Sequence, residues 1–286
     1  MDKGPNVIKG RVLVIAGSDS GGGAGIQADI KTITALGAYA ATAITALTAQ
    51  NTLGVFGVMP VPPAFIRQQI EVVMGDIGAD VIKIGMLGDT LTIETVYAAL
   101  TDFAPTVPVV LDPVMVAKGG HALLAEQAVD SLRRLLLPRA AILTPNLPEA
   151  EALSGVSIRT EAEMRVAAKA LLALGVPAVL LKGGHLDSDT VVDLLATAEG
   201  IEAFAASRIP TRHTHGTGCT TASAVAVGMA QGMSLRDAII RARAYVRAAI
   251  AAAPGFGQGH GPLDHTVTVH PGRIERTALT ESAAGH

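Results

Sequence analysis

The sequence predicts an α/β fold in which a mostly parallel β-sheet is covered by helices on both faces. Short runs of valine, isoleucine and leucine alternate with alanine-rich segments, as expected for buried parallel strands and their crossover helices. The first such run, residues 12–16, leads into a glycine-rich loop and then a helical pattern at 26–36. With 286 residues, of which 49% are hydrophobic and 16% charged, the chain is able to bury a large core.

Further strand and helix patterns repeat this order along the chain. We predict strands at 81–84, 109–112, 141–143 and 178–181, and helices at 91–100, 123–136 and 161–174. The parallel order is broken where 191–195 and 201–206 predict a hairpin that turns at Glu199 and Gly200. Two alanine-rich helices follow at 219–231 and 235–252, the second capped by Ser234.

No linker, internal repeat or low-complexity block divides the chain. We therefore predict a single domain over residues 1–270. Residues 271–286 are small, polar and without periodicity, and we expect them to form a loose C-terminal tail.

The composition argues against several classes of partner. A net charge of -3 provides no general attraction for nucleic acid or for an anionic membrane, because both need a basic face. The longest apolar stretch, residues 170–181, is interrupted by Gly175 and Pro177 and is shorter than a bilayer span. One cysteine cannot form an internal disulfide. We expect a cytoplasmic protein without nucleic-acid or membrane partners.

The first glycine-rich loop partly fits a dinucleotide-binding fingerprint, through Gly23, Gly25 and Ala28 after a predicted strand. That fold needs an acidic residue about 20 positions later to bind a ribose hydroxyl. No Asp or Glu occurs between Asp29 and Glu71, and the chain has no Gly-Lys-Ser/Thr phosphate loop. A dinucleotide-dependent oxidoreductase is disfavoured, and the alternative is a tight turn that needs glycines.

The second glycine-rich loop, residues 215–219, precedes a helix. Unpaired backbone amides at a helix N-terminus bind anions, and Gly216 and Gly218 allow a phosphate to approach them closely. Cys219 lies in the first turn, where the positive end of the helix lowers a thiol pKa and favours a general base. Without these neighbours, the cysteine would more simply be a small buried residue.

Charged residues follow three predicted strands at the same edge of the sheet. Asp112 and Glu149 offer oxygen ligands for Mg²⁺ held against ATP phosphates, and Lys182 offers a charge that neutralises phosphate. The alternatives are an ordinary helix N-terminal acid for Glu149 and a solvated side chain for Lys182. His213 and His215 have no third ligand at suitable spacing, so a loop role is favoured over a metal site.

Six segments together resemble the hydroxymethylpyrimidine and phosphomethylpyrimidine kinases of thiamine biosynthesis. They occur in order across the predicted domain, which makes the resemblance far more specific than one glycine loop. The segments are AGSDSGGGAGIQAD (16–29), TALTAQNT (45–52), DPVM (112–115), TPNLPE (144–149), LKGGH (181–185) and GTGC (216–219).

The resemblance implies a ribokinase-like fold, a three-layer αβα sandwich with a mostly parallel central sheet. It also implies transfer of the γ-phosphate of ATP to 4-amino-5-hydroxymethyl-2-methylpyrimidine and then to its monophosphate, with Mg²⁺. Carried over by position, the pyrimidine site would contain Gly17, Asp29, Gln50, Met86 and Val114. The resemblance assigns ATP to Asn146, Lys182 and Thr217, the metal to Asp112 and Glu149, and catalysis to Cys219 with Gly216, Thr217 and Gly218.

Alternatives stay open at this point. Sugar kinases of this fold carry Asp where this chain has Cys219, so the cysteine favours the vitamin kinases, but some similar pyridoxal kinases share it. Pyridoxal phosphorylation is therefore the second candidate, and a non-enzymatic small-molecule binder is the third. The resemblance further implies a homodimer. We also expect a loop at 117–121 to close over the phosphates, with Lys118 contacting the phosphate of the second substrate.

Overall fold

The computed structural model describes residues 8–116, 120, 123–125 and 127–269. Eight strands form one sheet in the order β10-β9-β8-β7-β6-β5-β1-β2. All neighbouring strands are parallel except β9, which is antiparallel to both β8 and β10. The strands are β1 (Arg11–Ala16), β2 (Tyr39–Ile44), β5 (Val81–Ile84), β6 (Val109–Leu111), β7 (Ile142–Leu143), β8 (Ala178–Leu181), β9 (Thr190–Thr197) and β10 (Gly200–Ser207). A separate antiparallel hairpin consists of β3 (Ala46–Gln50) and β4 (Val55–Pro60).

Helices cover both faces of the sheet. The helices are α1 (Gly25–Ala35), α2 (Pro63–Asp76), α3 (Thr90–Phe103), α4 (Ala128–Ser131), α5 (Leu147–Ser154), α6 (Glu161–Leu172), α7 (Thr217–Ala230) and α8 (Leu235–Ala251). One layer contains α1, α7 and α8, and the other contains α2 to α6. The ribokinase-like three-layer fold expected from the sequence is confirmed.

The core lies on both sides of the sheet because its central strands are apolar throughout. In β1, Leu13 and Ile15 pack against one helix layer while Val12 and Val14 pack against the other, and all four are buried. Burial of both faces explains why these strands occur as continuous apolar runs without polar alternation. The single-domain prediction stays a prediction, and the continuous sheet supports it.

Most predicted elements occur within a few residues of their expected bounds. The helix predicted at 123–136 is wrong at its start, because the described residues 123–125 are not helical and α4 begins only at Ala128. The amides of Leu123 and Leu124 instead donate to the carbonyl of Met115. The helix then continues as a π-helical turn, Leu132–Leu136. The spacing of apolar residues continues from the loop at 123–125 into α4, so it does not show where the helix begins.

Sequence patterns missed the segment between residues 37 and 80, which contains β2, β3, β4 and α2. Alanine and threonine dominate the first part, and all residues of β4 after Val55 are exposed, so no buried apolar run marks these strands. Lys118 and the tail predicted at 271–286 lie outside the described residues. No helix in the described ranges is long and apolar enough to cross a bilayer.

The order of the sheet places a crevice next to β1. The chain leaves β1 toward β2 on one side and later returns to β5 on the other side. Helices after these strands therefore diverge to opposite faces and leave a gap at the carboxyl ends of β1 and β5. Open α/β sheets bind ligands at such reversals.

The segment after α8 packs back onto the start of α7 through His265. Its Nε2 lies 3.0 Å from Thr220 Oγ1, and its carbonyl accepts a hydrogen bond from the Tyr245 hydroxyl. The side chain is buried. Burial, with a smaller effect of the Lys31 charge, lowers the pKa of His265 from 6.5 to about 4.

We predict that wild-type protein loses stability below pH 6.5 relative to His265→Gln, which has no titrating group at this position. The folded state resists protonation of His265, so its contribution is intact above the unfolded pKa of 6.5 and is lost as pH falls toward about 4. The expected relative loss is about 2 kcal/mol between about pH 7.5 and about pH 5. Urea unfolding at each pH measures it. Parallel curves for the two proteins would contradict the assignment.

Candidate active site

A cavity of about 970 Å³ opens at the carboxyl ends of β1 and of β5 to β8. It is lined by nearly all the site residues expected from the sequence: Gly17, Gln50, Met86, Asp112, Val114, Asn146, Glu149, Lys182, Gly216, Thr217, Gly218 and Cys219. Asp29 is the exception. Strand order thus brings segments that are far apart in sequence to one place, as the sequence analysis expects.

The first glycine-rich loop, residues 17–25, is occupied by its own aspartate. The buried Asp19 carboxylate accepts hydrogen bonds from the amides of Gly21, Gly23 and Ala24 at 2.8, 3.1 and 2.8 Å. Burial raises the pKa of Asp19, but hydrogen bonds from His215 and the amides outweigh it and lower the pKa overall. An ionised side chain therefore fills the position that a bound phosphate would take, so this loop is not a phosphate site.

The second glycine-rich loop has no such internal anion. Gly216 adopts a left-handed conformation, with φ of +85°, and begins α7 without a side-chain cap. A side chain here would also overlap the carbonyl oxygen of Gly23. The Thr217 hydroxyl donates to the carbonyl of Thr214 at 2.8 Å and is not directed at the amides. The Thr217 amide donates to the same carbonyl at 3.3 Å, so the amides of Gly218 and Cys219, which follow it at the cavity, are the ones suited to bind a phosphate.

Cys219 lies in the first turn of α7 and is partly exposed to the cavity. The position of Cys219 at a helix N-terminus predicts a lowered thiol pKa, and this prediction is wrong for the free protein. Burial raises the pKa of Cys219 to about 12, against smaller lowering effects of the Lys83 charge and the Gly25 amide. The thiol is therefore protonated at neutral pH, because desolvation exceeds the effect of the helix dipole.

Asp112 and Lys182 form an ion pair beside the second glycine-rich loop. Lys182 Nζ lies 2.9 Å from Asp112 Oδ1, which also accepts a hydrogen bond from the Thr144 hydroxyl at 2.9 Å. Burial disfavours the ammonium, but the charges of Asp112 and Glu149 outweigh it and raise the pKa of Lys182. A stable cation therefore lies at the cavity wall close to Gly218.

Glu149 is fixed at the start of α5 by a capping box with Asn146. The Asn146 amide donates to Glu149 Oε2 at 2.8 Å, and the Glu149 amide donates to Asn146 Oδ1 at 2.9 Å. Burial raises the pKa of Glu149 to about 7; Lys182 lowers it and Asp112 raises it further. Both carboxylates are oxygen donors of the kind that Mg²⁺ prefers, but the described residues contain no cluster of three or more His, Cys, Asp or Glu ligands, so water or phosphate would have to complete the shell of a metal ion held here.

Asp29 lies behind the cavity wall instead of on it. Its carboxylate is 2.9 Å from Lys83 Nζ and accepts a hydrogen bond from the Ser223 hydroxyl at 2.7 Å. Asp29 and Lys83 are fully buried, and Lys83 is the member that lines the cavity. Burial disfavours the Lys83 ammonium, but the Asp29 charge outweighs it and raises the pKa. The predicted direct contact of Asp29 with a substrate is therefore replaced by support for Lys83.

The opposite part of the cavity, near β1 and β5, suits a flat ring. Met86 Sδ lies so close to Gly17 that a Cβ on that glycine would be only 2.9 Å from the sulfur. The Gln50 side chain extends from β3, with Oε1 3.3 Å from the Thr48 hydroxyl. An amide offers a donor and an acceptor in one plane, and a thioether packs on an aromatic face.

Sequence reasoning missed the residues at the far end of the cavity. Apolar side chains there come from β9, the β10–α7 loop and α8: Val191, Ile209, Val246 and Ile250. Arg208 fixes the loop after Lys182, because its guanidinium donates to the carbonyls of Gly184, Leu186 and Ser188. These residues carry no local motif, and only the tertiary fold brings them together.

Known proteins with similar sequences are kinases. The family model described as phosphomethylpyrimidine kinase matches residues 19–264. The chain belongs to this family. A hydroxymethylpyrimidine/phosphomethylpyrimidine kinase of Streptomyces coelicolor is 48% identical over 91% of the chain and 96% of the relative. The thiamine biosynthesis bifunctional protein ThiED of Geobacter sulfurreducens is 51% identical over 90% of the chain, which spans 52% of that longer relative.

Solved structures of similar kinases share the fold. An ADP complex of pyridoxal kinase from Bacillus subtilis has a TM-score of 0.84 and 38% identity, covering 91% of the chain and 98% of that structure. A phosphomethylpyrimidine kinase from Clostridium difficile has a TM-score of 0.74 and 40% identity, covering 84% and 98%. The kinase described here therefore has relatives that differ in the substrate for which they are named.

We predict that Cys219, the one cysteine of the chain, reacts slowly with iodoacetamide at neutral pH. With a thiol pKa of about 12, the rate should rise about tenfold per pH unit from about pH 7 to about pH 10 without a plateau. The urea-unfolded chain is the control, and its rate should level off above a pKa of about 8.5. Mass spectrometry measures the modified fraction. A plateau near neutral pH in the folded protein would contradict the protonated state.

Proposed function

We propose that the chain is a hydroxymethylpyrimidine kinase and phosphomethylpyrimidine kinase. It transfers the γ-phosphate of ATP to 4-amino-5-hydroxymethyl-2-methylpyrimidine and then to the monophosphate, in thiamine biosynthesis. The observation that carries this proposal is the uncapped start of α7 at Gly218 and Cys219, next to Lys182, Asp112 and Glu149 in one cavity. Family membership and the names of the relatives support the substrate.

The phosphates of ATP bind between α7 and the carboxyl ends of β6 to β8. The amides of residues 216–219 hold the transferred group, and Lys182 and Thr217 contact its oxygens. Asp112 and Glu149, directly or through water, would hold Mg²⁺, which neutralises phosphate charge when bound. The nucleoside lies toward the apolar group of Val191, Ile209, Val246 and Ile250, with Asn146 between it and the phosphates.

The pyrimidine binds between Gly17 and Met86, at the reversal of the sheet beside β1. Gln50 hydrogen-bonds a ring nitrogen and the adjacent amino group, while Val114 closes the side of the site. This places the hydroxymethyl group toward Cys219 and the amides of α7. The two ends of the cavity therefore set the acceptor oxygen in line with the γ-phosphate.

Positioning and electrostatics contribute more to this reaction than a base does. Phosphoryl transfer passes through a loose transition state in which charge on the phosphate oxygens must be stabilised. In this proposal, Lys182 and the α7 amides supply that stabilisation. Because the Cys219 thiol is protonated in the free protein, its proposed role as base requires the bound phosphate and substrate to change its surroundings.

Pyridoxal phosphorylation is the second candidate. It is favoured by the high similarity to a solved pyridoxal kinase, which has a TM-score of 0.84. A ring with one hydroxymethyl group and a neighbouring polar substituent would fit the same two surfaces, Met86 and Gln50. Discrimination between the two rings therefore depends on the hydrogen-bond pattern that Gln50 meets.

The deciding experiment measures ATP consumption with the pyrimidine alcohol, its monophosphate and pyridoxal under identical conditions. We expect kcat/KM for the pyrimidine alcohol to exceed that for pyridoxal by at least about tenfold, and Lys182→Met to lower kcat by about a hundredfold. Cys219→Ala should lose less than Lys182→Met because its role is smaller. A preference for pyridoxal would overturn the substrate, and no phosphorylation of any alcohol would overturn the function.

We further propose a cytoplasmic homodimer in which the β3–β4 hairpin forms the contact. The hairpin exposes several large apolar side chains: Leu47, Leu53, Phe56, Val58 and Met59. Phe56 is 71% exposed and Met59 is 59% exposed, so most of the apolar surface of both side chains faces solvent. Adjacent exposed apolar residues on a projecting hairpin are typical of a protein interface. A second copy of the chain would bury them.

We predict that Phe56→Asp combined with Met59→Asp converts the dimer into a monomer. The charges would be buried without partners at the interface, which costs several kcal/mol. Sedimentation velocity measures the change in mass. Val166→Asp is the matched control, because Val166 is 56% exposed on α6, which packs against α5, β8 and β9, and it should leave the dimer intact. A monomeric wild type, or an unchanged mass for the double variant, would contradict this interface.

A further inference from the structure

Asp19 and His215 join the two glycine-rich loops. His215 Nε2 lies 2.8 Å from Asp19 Oδ2, although the residues are 196 positions apart. Asp19 is 2% exposed, and the His215 side chain is 10% exposed. Asp19 is ionised because its hydrogen bonds lower its pKa, so His215 Nε2 carries the proton and donates it to the carboxylate. A buried, charge-assisted hydrogen bond thus connects the loops.

The backbones of the two glycine-rich loops are also packed closely against each other. A Cβ on Gly216 would overlap the Gly23 carbonyl oxygen, and one on Gly23 would lie 2.4 Å from His215 Cδ2. The Gly25 amide at the start of α1 donates to the sulfur of Cys219. The loops therefore touch along their length, and Asp19 with His215 is the side-chain link among these contacts.

The two linked loops belong to different halves of the proposed reaction. The loop at 17–25 extends from β1 and carries Gly17, on the acceptor side of the cavity. The loop at 215–219 begins α7 and carries the amides that hold the transferred phosphate. A shift of one loop against the other would change the distance from acceptor oxygen to phosphorus. Misplacement of about 1 Å can cost about a hundredfold in rate.

We propose that Asp19 and His215 act together as positioning residues that fix the acceptor site relative to the phosphate site. This inference rests on the proposed kinase function. The pair contributes to the alignment needed for transfer and little to the affinity for ATP. His215 Nε2 also lies 3.4 Å from Gln50 Nε2, so its removal affects the pyrimidine site as well. Removing one partner leaves the other buried without its hydrogen bond, so both singles should lose the alignment.

The test uses steady-state kinetics of the full chain with Asp19→Asn, His215→Leu and the double variant. We expect each single variant to lower kcat for the pyrimidine alcohol by at least about tenfold, with the KM for ATP within about threefold of wild type. The double variant should lose no more than the worse single, because the residues act as one unit. The ATP hydrolysed per alcohol phosphorylated should rise, since water replaces a misaligned acceptor.

His215→Gln supplies the conservative control, because its amide is able to donate to Asp19, and it should recover much of the lost kcat. His265→Gln is the matched control, because His265 also contacts the first turns of α7 but does not line the cavity. The amount of ATP hydrolysed per alcohol phosphorylated should therefore stay at the wild-type value in this variant. If Asp19→Asn fails to fold, the His215 variants decide, because they retain the three amide bonds to Asp19.

Full kcat in His215→Leu would overturn the proposal, as would additive losses in the double variant or an effect confined to KM. A failure of the proposed function is distinguishable, because wild-type protein would then phosphorylate none of the alcohols. In that case there is no transfer for the pair to align, and the positioning proposal fails together with the proposed function. Circular dichroism of each variant shows whether its loss of activity comes from unfolding instead.

Discussion

Backbone contact between the two glycine-rich loops is the constraint on which the site depends. Gly216 has a positive φ, which side-chain-bearing residues rarely adopt, and a Cβ at this position would overlap the Gly23 carbonyl oxygen. This contact places the start of α7 beside the end of β1, at the reversal of the sheet. Lys182, Asp112 and Glu149 come from three neighbouring strand ends and surround that junction. The cavity is a consequence of this arrangement.

The two loops illustrate how similar glycine patterns acquire opposite chemistry. Asp19 accepts hydrogen bonds from the amides of its own loop and fills it with negative charge. The loop before α7 contains no comparable carboxylate among its own residues, so its amides face the cavity. One aspartate thus separates a structural turn from a helix start that suits an anion, and this suitability is local because the net charge of the protein is -3.

Sequence patterns predicted the parallel sheet and most of the cavity wall because both depend on local rules. Apolar runs identify strands such as Val81–Ile84, and strand ends place Asp112 and Lys182 together. Sequence patterns gave wrong predictions where burial in the folded protein determines the position or the pKa of a side chain. Asp29 lies behind the wall because Lys83 and Ser223 surround it, and the Cys219 pKa is raised because desolvation exceeds the dipole. Arg208 was missed because its carbonyl partners are defined only by the folded loop.

The protonated state of Cys219 has a consequence for redox chemistry. Oxidation by peroxide begins with the thiolate, and its rate follows the fraction of thiol that is ionised. The Cys219 sulfur, which feels the charges of Asp29 and Asp112 and has a pKa of about 12, presents very little thiolate at neutral pH. The chain has no second cysteine that could trap an oxidised form as an internal disulfide. In the free enzyme, Cys219 is therefore resistant to peroxide at a position where a low-pKa cysteine would be vulnerable.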